Sequence, residues 1–300
     1  NQPSFFEMMF LMALCIMEEE QPDICLIETG MGGRYDATNV IIPEVSVITS
    51  ISMDHMEFLG HTIEEIASHK AGIIKKAIPV VTMEQEQAVS DILREEAKQK
   101  MSPFYDVSED NLKFEEKAAK YIDFLNANAY DKERDVRTNI AGEFQKSNLA
   151  AALQTAELIC GRLDEDKIYE ALSQIRISGR MEEIAPGIIV DVSHNIQGMQ
   201  GFVQTVEANY HGMKKRILFA ASHQNEEEYM KNILKTIPEI EAFYTVGIHK
   251  RRIDEAEFQD AFRKMIDRNQ ETTVCFVVGS FYLAGMAKEF INQEEENVRL

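Results

Sequence analysis

Residues 45–83 read VSVITSISMDHMEFLGHTIEEIASHKAGIIKKAIPVVTM. The two ends of this stretch, VSVITSIS (45–52) and IPVVTM (78–83), are short apolar runs rich in β-branched residues. Between them, TIEEIASHKAGIIKK (62–76) opens with Thr62 and Glu65 at capping-box spacing, which predicts a helix. Strand, helix and strand in succession define a βαβ unit and hence a parallel sheet.

Upstream, DICLIETG (23–30) has the same strand character and ends at glycine. Before it, the apolar stretch from Phe5 to Met17 is interrupted by Glu7 and followed by three glutamates. It is too short for a membrane span and has no basic flank, so it reads as a core helix. The first residue is Asn1 rather than methionine, and a start inside an apolar helix reads as an N-terminally truncated chain. Downstream, residues 84–100 read as a charged helix, 101–140 as less regular chain with short strands, and Glu143 to Gly161 as a helix centred on Ala150, Ala151 and Ala152.

After RISGR (176–180) the pattern restarts. GIIVDVSHN (187–195), KRILFAAS (215–222), EAFYTVGIH (241–249) and TTVCFVVGS (272–280) are four apolar runs, each followed by a helical segment. They predict a second doubly wound α/β unit, of about 120 residues, within the usual size of a domain. The boundary is set near Ile177, giving domains 1–177 and 178–300. There is no tandem repeat and no low-complexity segment.

The 300 residues are 45% apolar, enough for a sizeable core. Lys and Arg total 31 against 51 Asp and Glu, a net charge of −20. A chain this acidic repels nucleic acid and anionic membranes, so neither is expected as a partner, and an anionic substrate must be held by a local basic or metal-rich spot. Cys15, Cys25, Cys160 and Cys275 show no CxxC or CxxH spacing and read as reduced, mostly buried thiols of a cytosolic protein.

Open α/β sheets bind ligands beyond the carboxyl ends of their strands. That rule selects Glu28 at the end of the first run, Asp54 and His55 after the second, and Asp191 and His194 after the first strand of the second domain. Around Glu28, ETGMGGRYDATNV (28–40) has glycines at 30, 32 and 33 that allow tight turns and close backbone approach. It matches neither GxGxxG nor a Walker A loop, which leaves a structural glycine turn as the plain alternative. Lys70 lies on the helix among Ala67, Ala71 and Ile74. Partial desolvation there favours a neutral amine, and a neutral amine reacts with carbon dioxide to give a carbamate, a hard oxygen ligand for magnesium.

LIETGMGGRYDATNV (26–40) and VITSISMDHMEFLGHTIEEIASHKAGIIK (47–75) together resemble the folylpolyglutamate synthase/dihydrofolate synthase family of the Mur ligase superfamily. The resemblance continues in order through GEFQKSNLAAAL (142–153), SGRMEEI (178–184), VDVSHN (190–195) and GSFYLAG (279–285). It implies a Mur-ligase-type central P-loop-like α/β domain followed by a smaller Rossmann-like domain, in a monomer that binds ATP and Mg2+. The implied substrates are a folate or dihydropteroate and L-glutamate, joined through an acyl phosphate.

By the same resemblance Glu28 and His55 are magnesium ligands and Lys70 is the carbamylated lysine. Asn148 contacts the nucleotide, Arg180 reaches its phosphates, and Asp191 and His194 meet its ribose and phosphate side. Closure of the second domain over the nucleotide is implied as well.

Three features depart from the family pattern. No glycine-rich run ending in Lys-Ser or Lys-Thr precedes the opening helix, so the central domain is expected to be incomplete and this chain on its own inactive. Val192 and Ser193 stand where Gly and Ala are usual, and HQNEEE (223–228) stands where a Lys-Asp pair is more common. Two other readings compete with a folate ligase: a Mur-type cell-wall peptide ligase, and a noncatalytic binding module that has kept the fold.

Overall fold

The computed structural model describes residues 2–53, 55–83, 85–107, 112–118, 121–127, 135–138, 144–222, 224–249, 252–266 and 273–299. The chain divides into two compact units, one comprising Asn1–Asn111 and Ser147–Leu163, the other Leu112–Lys146 and Asp164–Leu300.

The first unit contains α1 (Phe5–Glu20), β1 (Ser46–Ile48), α2 (Met56–Leu59), α3 (Ile63–Ala71), β2 (Val80–Met83), α4 (Gln87–Gln99) and β3 (Phe104–Val107). The three strands form a parallel sheet in the order β1-β2-β3. Ile66, Ala67, Ala71 and Ile74 from the α3 region and Val89, Leu93 and Ala97 from α4 pack with Ile48 and Val80 into one buried cluster. The expected helix is therefore present, and its capping box forms: the Thr62 hydroxyl accepts the Glu65 N–H, and the Glu65 carboxylate accepts the Thr62 N–H.

Two upstream expectations are corrected. DICLIETG forms no strand; Leu26 is 94% exposed, and β1 finds its partner in β2 instead. A β-prone run becomes a strand only where another backbone lies in register to take its N–H and C=O groups, and propensity says nothing about that partner. The stretch 5–17 does form a helix, held by a capping box at Ser4, but α1 buries no residue and Phe5 is 82% exposed. Its apolar residues ring the helix rather than forming one stripe, a composition that resembles a core helix whether or not a neighbour covers it.

The second unit holds a three-stranded antiparallel meander, β4 (Leu112–Ala118), β5 (Tyr121–Ala127) and β6 (Asp135–Thr138). Helix α5 (Phe144–Cys160) crosses the division between units, and α6 (Glu165–Gln174) belongs to the second. A five-stranded sheet follows. Its elements are β7 (Glu182–Ala185), β8 (Ile188–Asp191), α7 (Ile196–Asn209), β9 (Lys214–Phe219), α8 (Glu227–Leu234), β10 (Ile240–Thr245), the hairpin of β11 (Ile248–His249) and β12 (Arg252–Ile253), α9 (Glu255–Ile266), β13 (Thr273–Val278) and α10 (Phe281–Arg299).

Strand order is β10-β9-β13-β8-β7, parallel except for the antiparallel edge strand β7. The period of two along each strand sorts its side chains between two layers. Ile189, Ile217 and Phe276 pack with Phe202 of α7 and Met230 of α8, whereas Val190, Leu218 and Val277 pack with Phe262 of α9 and Leu283 of α10. Helices on both faces of a mostly parallel sheet are the doubly wound α/β arrangement the four runs predicted. No helix among the described residues is long and apolar enough to cross a membrane.

All four cysteines are free, but Cys15, Cys25 and Cys160 are exposed and only Cys275 is buried, so the expectation of mostly buried thiols is corrected. Burial pushes the Cys275 thiol up to about 11. With a disulfide reagent at pH 8, Cys15, Cys25 and Cys160 should react in the folded state, and Cys275 only after denaturant is added. Fast labelling of all four in the native protein would contradict the core around β13.

Candidate functional site

In the first unit, the glycine-rich segment and the end of α3 meet backbone to backbone. The Arg34 N–H donates to the His69 carbonyl at 2.8 Å. The Arg34 guanidinium reaches the Ser68 carbonyl at 3.3 Å, and the Asn39 side-chain amide donates to the carbonyls of Gly72 and Arg34. Carbonyls in the last turn of a helix lack intrahelical donors, and here a distant loop supplies them. A Cβ on Gly33 would lie 2.8 Å from the His69 carbonyl oxygen, and one on Gly72 would lie 2.4 Å from Arg34 Cβ. Both glycines are thus needed for close approach, and the contact places Lys70, half-buried in the same turn, beside the loop.

Asp36 organises that loop. Its carboxylate accepts the Met31 N–H at 2.8 Å, the Thr38 N–H at 2.9 Å and the Thr38 hydroxyl at 2.6 Å. Burial works to raise the Asp36 carboxyl, but the hydrogen bonds outweigh it and hold the group below its ordinary range. Asp36 was not among the sequence-selected residues, although an Asp followed two positions later by Thr is a recognisable turn signal. Next to it, Phe6, Met31, Tyr35, Asp36, Leu59 and His69 line a cleft of about 350 Å3. The Tyr35 and His69 rings meet edge-on there, 5.7 Å between centroids.

Beyond β1, the side chain of Gln85 stands in for a neighbouring strand. Its amide donates to the Thr49 carbonyl at 3.0 Å and accepts the Ile51 N–H at 2.9 Å, the pattern a parallel partner would offer. Nothing in the sequence marks Gln85 for this task. The loop then leads to His55, exposed and in the left-handed region at φ 49°, where its carbonyl receives the Phe58 and Leu59 N–H groups. A non-glycine residue held there is uncommon, and such positions cluster at functional sites. Asp54 lies outside the described residues. Glu28 is exposed in the irregular segment before the glycines, and Asn148 is exposed near the start of α5. Among the described residues no three His, Cys, Asp or Glu side chains gather as a metal site.

In the second unit, Arg180 sits half-buried on a turn between two left-handed residues, Gly179 at φ 72° and Met181 at φ 45°. Glu182 staples the turn: its carboxylate accepts the Gly179 N–H at 2.5 Å and the Lys288 ammonium at 2.6 Å. Burial tends to raise the Glu182 carboxyl, yet Lys288 and the Gly179 N–H bring it below its usual range. Asp191 ends β8, fully buried, and burial pushes its carboxyl up against the opposing pull of Ser193, Met181 and Arg180. His194 follows with Nδ1 3.1 Å from the Val192 carbonyl and its ring tilted against Phe281 at 5.5 Å. Asn195 caps α7 by accepting the Gly198 N–H at 2.8 Å. Asp191 and His194, the two residues the sheet rule selects in this unit, thus lie at the carboxyl end of β8, and the Arg180 turn, named by the resemblance alone, is tied to Asp191 through the Met181 N–H.

The middle-domain model of the Mur ligases matches residues 7–156, half of the chain, and the chain belongs to the Mur ligase family. Within that family it falls on the folylpolyglutamate/dihydrofolate synthase branch. It is 33% identical over 245 residues to the dihydrofolate synthase/folylpolyglutamate synthase of Bacillus subtilis, an alignment covering 79% of this chain and 57% of that protein. It superposes on the apo form of Lacticaseibacillus casei folylpolyglutamate synthase with a TM-score of 0.82 and 25% identity, covering 97% of this chain and 72% of that one. A folylpolyglutamate synthase in complex with AMPPCP and folate matches at a TM-score of 0.81 and 26% identity, with the same coverage of 97% and 72%. The chain spans little more than half the length of the Bacillus subtilis relative.

Proposed function

We propose that the chain carries the metal and nucleotide machinery of an ATP-dependent ligase that adds L-glutamate to a folate or to dihydropteroate. The observation that carries this reading is the docking of residues 33–39 on the last turn of α3, which fixes Lys70 beside a glycine-rich backbone. In this reading residues 1–177 hold the metal side, residues 178–300 hold part of the nucleotide, and the protein works as a cytosolic monomer.

Glu28, His55 and a carbamate on Lys70 are the groups that would hold magnesium. The Glu28 carboxylate and the carbamate oxygens suit the ion, which prefers hard oxygens and keeps waters and substrate phosphates in its shell, so a closed cage of protein ligands is unnecessary and His55 would add a single nitrogen. Bound magnesium supplies charge neutralisation at the phosphates. The Arg180 guanidinium adds positive charge on the phosphate side, His194 adds a hydrogen-bonding ring, and Asn148 contacts the nucleotide from α5. The acceptor carboxylate displaces ADP from the γ-phosphorus and becomes an acyl phosphate. The glutamate amine then attacks the acyl carbon, releasing phosphate and a proton. The aromatic and apolar lining of the cleft at Phe6, Tyr35 and His69 suits the flat ring system of a folate acceptor.

The gene product expressed from its own start codon should release phosphate from ATP only when magnesium, glutamate and a folate-type acceptor are all present. Equal hydrolysis without acceptor, turnover with a nucleotide-linked peptide instead, or no turnover with any acceptor would overturn the assignment.

A further inference from the structure

Arg180 stands two residues from a carboxylate that could capture its guanidinium, and the second unit keeps that carboxylate occupied. Glu182 is half-buried at the start of β7, and its Oε2 accepts the Gly179 N–H at 2.5 Å and the Lys288 ammonium at 2.6 Å. Ser178 closes the triangle: its hydroxyl donates to the same Glu182 oxygen at 3.3 Å and accepts from the Lys288 ammonium at 2.6 Å. Lys288 comes from α10, 110 residues along the chain from Ser178. Burial raises the Glu182 carboxyl, but Lys288 and the Gly179 N–H more than offset it, so the group is an anion at neutral pH. The Lys288 and Glu182 side chains are 29% and 32% exposed, and ion pairs that open to water contribute little stability. The geometry therefore points to an effect other than stability. The Arg180 guanidinium, by contrast, makes no hydrogen bond or salt bridge among the described residues, although Asp191 feels its charge.

We propose that Lys288 is a positioning residue: by occupying the Glu182 carboxylate and holding Ser178, it keeps the Arg180 guanidinium unpaired and available to a nucleotide phosphate. The proposal rests on the reading that Arg180 is a phosphate contact. Without the ammonium, Glu182 would carry an uncompensated negative charge two residues from Arg180, where it attracts the guanidinium and repels phosphate alike. A glutamine in place of Glu182 keeps an oxygen for the Gly179 N–H and carries no charge, so it removes the competitor without removing the turn's hydrogen bond.

Affinity for ATP with magnesium, measured on the gene product by equilibrium binding, tests this with single and double variants. Lys288→Met should weaken ATP binding about tenfold, the lower end of what a hydrogen bond to a charged group supplies. Glu182→Gln alone should stay close to wild type, and Glu182→Gln added to Lys288→Met should restore the affinity that the single variant lost. A merely structural tie gives a different pattern, in which either substitution loosens the turn and the double variant binds no better than Lys288→Met. That pattern overturns the proposal, and so does unchanged affinity in Lys288→Met. Should Lys288→Met fail to fold, Lys288→Gln takes its place with the same expected loss and the same rescue. Arg180→Ala separates the two readings. If it binds ATP as tightly as wild type, the phosphate contact fails and the proposal falls with it; if it is weakened while Lys288→Met is not, the proposal alone fails.

Discussion

Gly72→Val is expected to destabilise the first unit by about 3 kcal/mol, the upper range for forcing extra atoms into a packed site. Gly72 has no unusual backbone angle, so the penalty is entirely steric. Its missing Cβ would sit 2.4 Å from Arg34 Cβ, 2.5 Å from Arg34 Cα and 2.8 Å from Arg34 N. Two of those three atoms are backbone and cannot swing aside. The Arg34 N–H is also bonded to the His69 carbonyl, so moving Arg34 away breaks a hydrogen bond as well. The loss should register as a lower thermal midpoint and as loss of function, because the turn that moves carries Lys70. Gly161→Ala is the control. That glycine also lies in the first unit, at φ 74°, with open space around it. Only left-handed strain of about 1 kcal/mol applies there. If Gly72→Val and Gly161→Ala lower the midpoint equally, the loop and helix are not in backbone contact.

The sequence reports element type well where burial on two faces forces a continuous apolar run, as in TTVCFVVGS, which became the wholly buried β13. It misleads where the same composition meets no partner. DICLIETG has the residues of a strand, and α1 the residues of a core helix, yet what covers a backbone or an apolar face is a tertiary fact. The glycines of 28–40 show the same limit. Spacing marks them as functional or structural without choosing, and the clash distance at Gly33 supplies a physical reason for that one, as a contact point against the end of α3, where Gly72 meets Arg34. Asp191 was selected correctly as a strand-end residue, and it ends β8 in the structure. Gln85 and Asp36 act through hydrogen bonds to backbone many residues away or around a loop, and such roles leave little trace in local patterning.

Lys70→Ala is expected to lower ligase turnover at least about a hundredfold, the scale on which a group facing developing charge is missed, while shifting stability by less than about 1 kcal/mol. The small stability effect follows from the fold. Lys70 is half-buried at the end of α3, where the hydrogen bonds that hold the turn come from Arg34 and Asn39 to main-chain carbonyls, not from the lysine side chain. The large effect on turnover is what the proposed carbamate requires, since it would convert a cation into a hard oxygen donor. Two measurements separate that role from a simple positive charge. Lys70→Arg keeps the charge but has no amine that captures carbon dioxide, so it should be as impaired as Lys70→Ala. Wild-type activity should also fall in carbon-dioxide-depleted buffer and return on adding bicarbonate, with neither variant responding. An active Lys70→Arg enzyme that ignores bicarbonate would mean that the turn presents a cation to the phosphates, and the carbamate would have to be abandoned while the docking of loop and helix stood.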